Sequence, residues 1–329
     1  MRLPRRTFLQ LPMGAAAFSI GSRIARAQVY PSRAITMIVP FPAGGPSDTV
    51  ARIMAEHMGV SLGQSIIVDN ISGASGSIGV GRAVRAAGDG YTLSFGSWST
   101  HVVNVAILAL PYDPVNDLKP VGLIVDSPLL IITRKEMPAQ DLNELIAWLK
   151  ANPDRASQGT AGVASASHLA GVLFQKETGT RFQFVPYRGL APALQDLLAG
   201  RTDLMFDLVA DSLPQLRAGS IKAYAVPARH RLTAAPDIPT VDEVGLTGLY
   251  VSSWQALWAP KATPKIIIDK LNAAVVDALS DPAIRQRLVD LGQEIPPREQ
   301  QTPEALGIRQ TAELETWRPI IKAADIKAE

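Results

Sequence analysis

The sequence predicts an α/β protein of two lobes around a cleft, in which each lobe is a mixed, mostly parallel sheet flanked by helices. Strand and helix patterns alternate along the chain, which is typical of such sheets. Two long extended runs, 121–133 and 221–228, are candidate crossings between the lobes, and 248–258 is an alternative position for the return. The 329 residues, 47% of them hydrophobic, are enough for two separate cores. The predicted lobes are 28–127 plus 229–329 and 128–228.

The composition argues against several classes of function. The net charge is +2 and acidic and basic residues are interspersed, so we expect no nucleic-acid partner. The chain has no cysteine, which excludes disulfides, thiol catalysis and thiolate metal sites. No pair of histidines has metal-ligand spacing, and the glycines within 73–79 have the wrong spacing for a dinucleotide loop. We therefore expect neither a metal nor a cofactor.

The first 27 residues have the pattern of an export signal. Arg5 and Arg6 form a twin-arginine pair, and a mildly apolar run follows from 11 to 20. Ala25 and Ala27 fit the rule that small residues precede the cleavage site, so we expect the mature chain to begin near Gln28. No other stretch has the ~18 apolar residues that cross a bilayer. The sequence predicts a soluble periplasmic protein, and a cytosolic chain with a basic leader is the alternative.

The first strand-loop-helix unit of the mature chain is a candidate anion site. Residues 35–39 form a short apolar strand pattern, and a helical pattern follows residue 48. In the loop between them, prolines stiffen the backbone and the Gly44-Gly45 pair lets it turn. Ser47 or Asp48 can cap the helix. Free amides at a helix N-terminus bind anions, so this loop is predicted to hold one; a tight turn that binds nothing is the alternative.

The remaining elements are predicted from apolar spacing. Short runs rich in β-branched and aromatic residues indicate strands, and apolar residues three or four apart indicate helices. Further strands are expected at 65–69, 91–95, 158–161, 182–187, 203–207, 221–226 and 251–258. One helix is expected to end at residue 87 and another to begin after residue 101. Further helices are expected at 142–150, 165–178, 191–199, 264–279, 282–291 and 303–324. The polar, proline-rich segment 229–239 is typical of a linker.

A second loop of the same kind runs from Gly159 to His168. A strand leads into small residues, Ser165 or Ser167 can cap, and an amphipathic helix begins at Leu169. A helix N-terminus stabilises an exposed anion by about 0.3–1 kcal/mol, and by up to ~2 kcal/mol when it is partly buried. Two such loops, one in each lobe, favour a grip on a carboxylate.

An enzyme is the competing interpretation. There is no G-x-S-x-G sequence, and His57, His101, His168 and His230 are isolated from one another. A periplasmic hydrolase that uses His168 and a serine remains an alternative. Arg188 is a candidate partner for a ligand carboxylate, and a packing or surface arginine is the other interpretation.

Several motifs together resemble the substrate-binding proteins of tripartite tricarboxylate transporters, the Bug-type periplasmic receptors. They occur in the order of that family and cover essentially all of 28–329. The motifs are Pro40–Asp48, Asp89–Leu93, Tyr112–Pro114, Ser167–Gly171, Val185–Gly189 with Pro192-Ala193, Asp196–Gly200, Asp203–Asp207 and Pro239–Glu243.

The resemblance implies a Venus-flytrap fold that closes on a ligand and delivers it to membrane permease subunits, with no catalysis. The expected ligand is a small carboxylate: a di- or tricarboxylate, an aromatic acid or an amino acid. We expect a monomer, and a sensor that presents the ligand to a membrane signalling protein is an alternative to transport. The implied ligand-binding residues are Phe41, Pro42, Ala43, Gly44, Gly45, Ser47, Asp48, Ser97, Ser99, Thr100, Ser165, Ala166, Ser167, His168, Arg188 and Asp207.

The second loop departs from the family pattern. In the family this loop is usually glycine-rich, whereas in this chain the side chains of Val163, Ala164 and Ala166 narrow it. Val172 stands where a glutamate commonly follows the His-Leu-Ala-Gly run. The resemblance therefore specifies how a carboxylate is captured, but it does not specify which one.

Overall fold

The structure is a computed structural model that describes residues 30–326. The predicted signal peptide lies outside the described residues. The first sheet consists of β1 (Ile35–Val39), β2 (Ile66–Asn70), β3 (Thr92–Ser97), β4 (Leu118–Val125) and β10 (Gln255–Pro260), in the order β2-β1-β3-β10-β4. The second sheet consists of β5 (Leu129–Arg134), β6 (Ser157–Thr160), β7 (Gln183–Pro186), β8 (Leu204–Leu208) and β9 (Ile221–Ala225), in the order β7-β6-β8-β5-β9.

Both sheets have the same pattern of directions. β1 is parallel to its neighbours β2 and β3, and β6 is parallel to its neighbours β7 and β8. β10 is antiparallel to β3 and β4, and β5 is antiparallel to β8 and β9. The prediction of two mixed, mostly parallel sheets flanked by helices is confirmed.

The helices occupy most of the predicted positions. They are α1 (Pro46–Leu62), α2 (Ser77–Val84), α3 (Asn104–Ile107), α4 (Leu142–Ala151), α5 (Ala166–Thr178), α6 (Leu190–Leu198), α7 (Val209–Arg217), α8 (Lys265–Ser280), α9 (Pro282–Asp290) and α10 (Pro303–Ala323). α7 was not predicted, although Val209, Leu213 and Leu216 have helical spacing, because Pro214 interrupts the pattern. A 3-10 turn precedes α2 at Ala74–Gly76, and a π-helical turn precedes α3 at Ser99–Val103.

The apolar run 121–133 is two strands in different sheets. β4 ends at Val125 and β5 begins at Leu129, so the chain changes sheets over 126–128. It changes back between β9 and β10. The two passages lie side by side, because Pro128 pairs with Ser252 in an isolated bridge.

A polar cluster, here called the crossing network, joins both passages to α10. Arg309 of α10 donates to both carboxylate oxygens of Asp126 at 2.9 and 2.7 Å, and to Ser252 Oγ at 3.1 Å. Its Nε donates to Glu313 at 2.9 Å, and Glu313 also accepts from Trp254 Nε1 at 2.9 Å. One guanidinium therefore holds a residue from each passage.

The second sheet buries both of its faces. In β8, Leu204 and Phe206 belong to one apolar cluster with α4 and α5, while Met205 belongs to another with α6 and α7. This alternation follows from the two-residue period of a strand. This packing fixes the carboxyl ends of β6 and β8. The second candidate loop follows β6, and α7 follows β8.

Candidate functional site

The two predicted loops leave equivalent strands. The first follows β1, which lies between β2 and β3, and the second follows β6, which lies between β7 and β8. In open parallel sheets, ligands bind beyond the carboxyl end of the strand from which successive connections diverge. Both loops occupy that position in their sheet.

Asp48 braces the first loop from inside. It is 3% exposed, and its carboxylate accepts from the Gly44 amide at 2.8 Å, from Arg52 Nε at 2.9 Å and from Asn70 Nδ2 at 2.9 Å. Asn70 Nδ2 also donates to Phe41 O at 3.1 Å. Burial alone works to raise the pKa of Asp48, but the hydrogen bonds from Arg52, Gly44 and Asn70 hold it below its usual value. The carboxylate therefore shapes the loop.

The predicted cap of α1 is wrong. Gly45 is the N-cap and no side chain caps the helix, because Pro46 occupies the first helical position and Asp48 turns back to Gly44. The first intrahelical bond joins Thr49 N to Gly45 O at 3.0 Å. The amides of Ser47 and Asp48 precede that bond and point out of the helix end. Since Pro42 to Gly44 are exposed, an anion has access to these amides.

Ser165, one of the two residues predicted to cap α5, is its N-cap. Its Oγ accepts from His168 N at 3.2 Å and donates to Gly162 O at 2.7 Å. Ser167 Oγ instead accepts from Ala161 N at 2.9 Å. The first intrahelical bond joins Leu169 N to Ser165 O, so the amides of Ala166 and Ser167 precede it. The second loop thus also offers two free amides, at the first and second helical positions, whereas those of the first loop are at the second and third because Pro46 has no N–H.

Loops after β1, β2 and β3 lie together in the first lobe. A Cβ on Gly76 would lie 2.8 Å from Thr100 Cγ2 and 3.2 Å from Pro40 O, so the turn after β2 packs between the other two loops. The sequence did not predict a role for this turn at the site, because its glycines resemble only a dinucleotide loop with the wrong spacing. Residues 73–76 all have positive φ, and Asn104 Nδ2 braces the turn through Ser75 O at 2.8 Å.

The predicted polar residues after β3 are only partly accessible. Ser97 and Ser99 join their hydroxyls at 2.8 Å, and Ser99 is half-buried. Thr100 is fully buried and lies 2.9 Å from His101 Nδ1. His101 stacks on Trp258 with ring centroids 3.7 Å apart, and burial lowers its pKa to about 3. Ser97 is only 3% exposed, so Ser99 is the accessible residue of this segment.

Asp207 is enclosed in the second lobe. It is fully buried, its Oδ2 accepts from Ser212 Oγ at 2.7 Å, and its Oδ1 has no partner among the described residues. Burial raises the pKa of Asp207 to about 7, although the Ser212 hydrogen bond opposes this. Asp207 is therefore not presented to a ligand in this conformation.

Asp207→Asn should change how stability depends on pH. The folded-state pKa lies above the ordinary value of 3.8, so folding binds a proton and the contribution to stability is lost as pH rises towards about 7. The variant lacks this titration. Its free energy of unfolding in urea, relative to that of the wild type, should therefore increase between pH 5 and pH 8. Asp69→Asn, at an exposed carboxylate, is the control. A difference between Asp207→Asn and wild type that does not change with pH would contradict this assignment.

Arg188 lies beside the second loop. It is exposed and has no hydrogen bond or ion pair among residues 30–326. A Cβ on Gly162 would be 3.4 Å from Tyr187 O, which places the turn that carries Arg188 next to that loop. Within the same described range, no hydrogen bond joins the first loop to the second.

A cavity of about 740 Å³ lies beside the first loop, between α1 and α9. Its lining includes Gly44, Asp48, Arg52, Arg287 and Leu291. No group of three His, Asp or Glu side chains among residues 30–326 is arranged to hold a metal ion. Over the same residues, no helix is both long and apolar enough to cross a membrane.

A sequence model described as "Tripartite tricarboxylate transporter family receptor" (TctC) matches residues 50–326. The chain belongs to this receptor family. Its fold matches the periplasmic binding protein BugD with a TM-score of 0.74 and 38% identity, over 91% of this chain and 100% of that one. MatC from Rhodopseudomonas palustris with bound malate is 39% identical with a TM-score of 0.74, over 89% and 100% of the two chains. An R. palustris protein with adipate is 33% identical with a TM-score of 0.77, over 91% and 99%.

As a member of the tripartite tricarboxylate transporter receptor family, the chain has the two-lobed fold of periplasmic binding proteins. The family is one of solute receptors rather than enzymes. The geometry gives the hydrolase interpretation no support, because no serine hydroxyl among the described residues bonds a histidine ring. The hydroxyl–imidazole contact that does occur, Thr100 with His101, is fully buried.

Proposed function

We propose that this receptor captures a small carboxylate between its two loops and delivers it to membrane permease subunits. The observation that carries the proposal is the pair of helix N-termini, each with two amides that make no hydrogen bond among the described residues: Ser47 and Asp48 in α1, and Ala166 and Ser167 in α5. Amides at a helix end bind anions without a charged side chain, because their N–H groups point at the ligand and the helix dipole favours negative charge. The loops 41–48 and 165–168 are the proposed contacts, with Ser97, Ser99 and Thr100 beside the first loop.

A dicarboxylate is the first ligand to test. Two structures of similar proteins contain malate and adipate, which are dicarboxylates of different length. In this chain, Arg188 is an exposed guanidinium with no partner in the described range, next to the second loop. A carboxylate at the amides and a second one at Arg188 would satisfy both groups.

Capture is proposed to work by closure of the lobes about the two passages between the sheets. The proposed lobe boundaries are 28–127 plus 229–329 and 128–228, consistent with β4 and β5 lying on either side of 126–128. The passages contact each other at Pro128 and Ser252, so rotation is confined to a short segment of each.

Ligand binding should raise the melting temperature. A ligand at 100 times its Kd adds ~2.7 kcal/mol to the free energy of unfolding. We expect this shift with at least one acid from a panel of mono-, di- and tricarboxylates, aromatic acids and amino acids, measured by scanning fluorimetry. The matched amides and esters are the controls and should give no shift. A panel in which neutral sugars stabilise the protein and acids do not would refute carboxylate capture.

Export is proposed to precede function, with cleavage near Ala27 and release of a monomer to the periplasm. The twin arginines and the small residues before Gln28 support this. The mass of the protein recovered from the periplasm tests the cleavage site. Loss of uptake in a deletion strain that keeps its response to the ligand would support transport over signalling.

A further inference from the structure

His168 combines a buried side and an open side. It is 9% exposed and lies at the start of α5, where its ring meets Phe184 edge-on with centroids 4.6 Å apart. The ring is thereby fixed in orientation, and the two ring nitrogens have different surroundings.

The buried side fixes the tautomer. The backbone N–H of Ala164 donates to His168 Nδ1 at 3.1 Å. An amide nitrogen has only a proton to offer, so Nδ1 must carry its lone pair and the neutral ring must carry its proton on Nε2. Ala164 has a φ of 61°, unusual for a residue with a side chain, and this hydrogen bond helps to hold it there.

The open side leaves a donor without a partner. Nε2 makes no hydrogen bond within 30–326, and it is not among the fully enclosed polar atoms. It therefore belongs to the part of the side chain that reaches solvent, at the same helix end as the amides of Ala166 and Ser167.

The surroundings of His168 favour the neutral form of its imidazole ring. The β6–α5 loop and β7, which pack against it, contain no ionisable side chain. Arg181 precedes β7, Tyr187 and Arg188 follow it, and α5 itself carries Lys176 and Glu177 two turns beyond His168. Burial lowers the pKa of His168. Protonation would also place a proton on Nδ1 against the Ala164 amide, so the ring stays neutral.

We propose that His168 donates its Nε2 proton to the ligand carboxylate, and that the Ala164 amide holds the ring in the tautomer that makes this donation. This rests on the proposed capture of a carboxylate by the second loop. His168 then adds a side-chain donor without adding a charge.

Two substitutions separate the two nitrogens. In His168→Asn the side-chain oxygen takes the place of Nδ1 and accepts from Ala164, but the outer donor is lost. In His168→Gln the amide nitrogen reaches the place of Nε2 and keeps the donor, but the brace is lost. We expect the glutamine variant to bind at least tenfold more tightly than the asparagine variant in calorimetry, with a carboxylate that stabilises the wild type. The asparagine variant should have the higher melting temperature without ligand. An affinity ratio near one, or in favour of asparagine, overturns the proposal.

A measurement on the unmodified protein tests the tautomer itself. In ¹⁵N NMR we expect His168 to show a protonated Nε2 and an unprotonated Nδ1 between about pH 6 and 8, where a free histidine titrates. Wild-type affinity should be flat over the same range. A protonated Nδ1 overturns the proposal even if a variant fails to fold. If no carboxylate binds the wild type, the proposed function fails instead, and the tautomer result stands separately.

Discussion

Gly45→Val should lower ligand affinity at least tenfold, or about 1.4 kcal/mol, while the protein still folds. Gly45 has φ −79° and ψ 170°, which valine adopts readily, and a Cβ there would meet Pro42 O at an ordinary 3.4 Å. A side chain at the N-cap lies over the amides of the first helical turn. The valine methyl groups would therefore occupy the place of a carboxylate bound to Ser47 and Asp48.

Calorimetry with one identified ligand measures this effect, and urea unfolding confirms that the variant is folded. Gly44→Ala is the matched control: its φ of +79° strains any residue with a side chain, and no atom lies within 4 Å of the added Cβ. It should therefore cost stability more than affinity. Arg188→Ala should weaken dicarboxylates more than monocarboxylates. Wild-type affinity in Gly45→Val would remove the first loop from the site.

Arg309→Met should cost about 2–3 kcal/mol in free energy of unfolding, because it leaves two partly buried carboxylates without their partner. The side chains of Arg309, Asp126 and Glu313 are only 24%, 22% and 24% exposed. Methionine fills a similar volume, so the loss reports the charge rather than a cavity. The passages at Asp126 and Ser252 also lose their shared donor.

Urea unfolding gives the free energy, and small-angle scattering with and without ligand reports closure of the lobes. Arg82→Met is the control, because Arg82 and Asp69 are 64% and 40% exposed and 3.8 Å apart. It should have little measurable effect. Equal stabilities for the two variants would show that the crossing network does not hold the passages.

The second loop was predicted better than the first because its chemistry is local. Ser165 caps α5 within four residues, which a sequence pattern can represent. At the first loop, Pro46 moved the cap to Gly45, and the brace came from Asn70 on the next strand. An asparagine at the end of a strand was a signal, but its partner depends on which strands are neighbours.

The run 121–133 shows the same limit at the level of the fold. Both of its halves are apolar because both β4 and β5 are buried on two faces, so the pattern does not distinguish one long strand from two. Two polar residues and a proline, Asp126-Ser127-Pro128, mark the break. The buried position of Asp207 could not be read from the motif Asp203–Asp207, because it is set by packing against Ser212 of α7, a helix that was not predicted.

The late position of β10 between β3 and β4 affects the order in which the chain can assemble. The second sheet uses one continuous segment, from Leu129 to Ala225, so all of its strands are available once that segment has been made. The first sheet stays divided until Gln255–Pro260 has been made, and β10 must then pair with residues at least 130 positions earlier in the chain. Such distant contacts carry a high loop-closure entropy and slow folding. Until β10 is in place, β3 and β4 have open edges that other chains can pair with, so this late insertion is the step most exposed to aggregation.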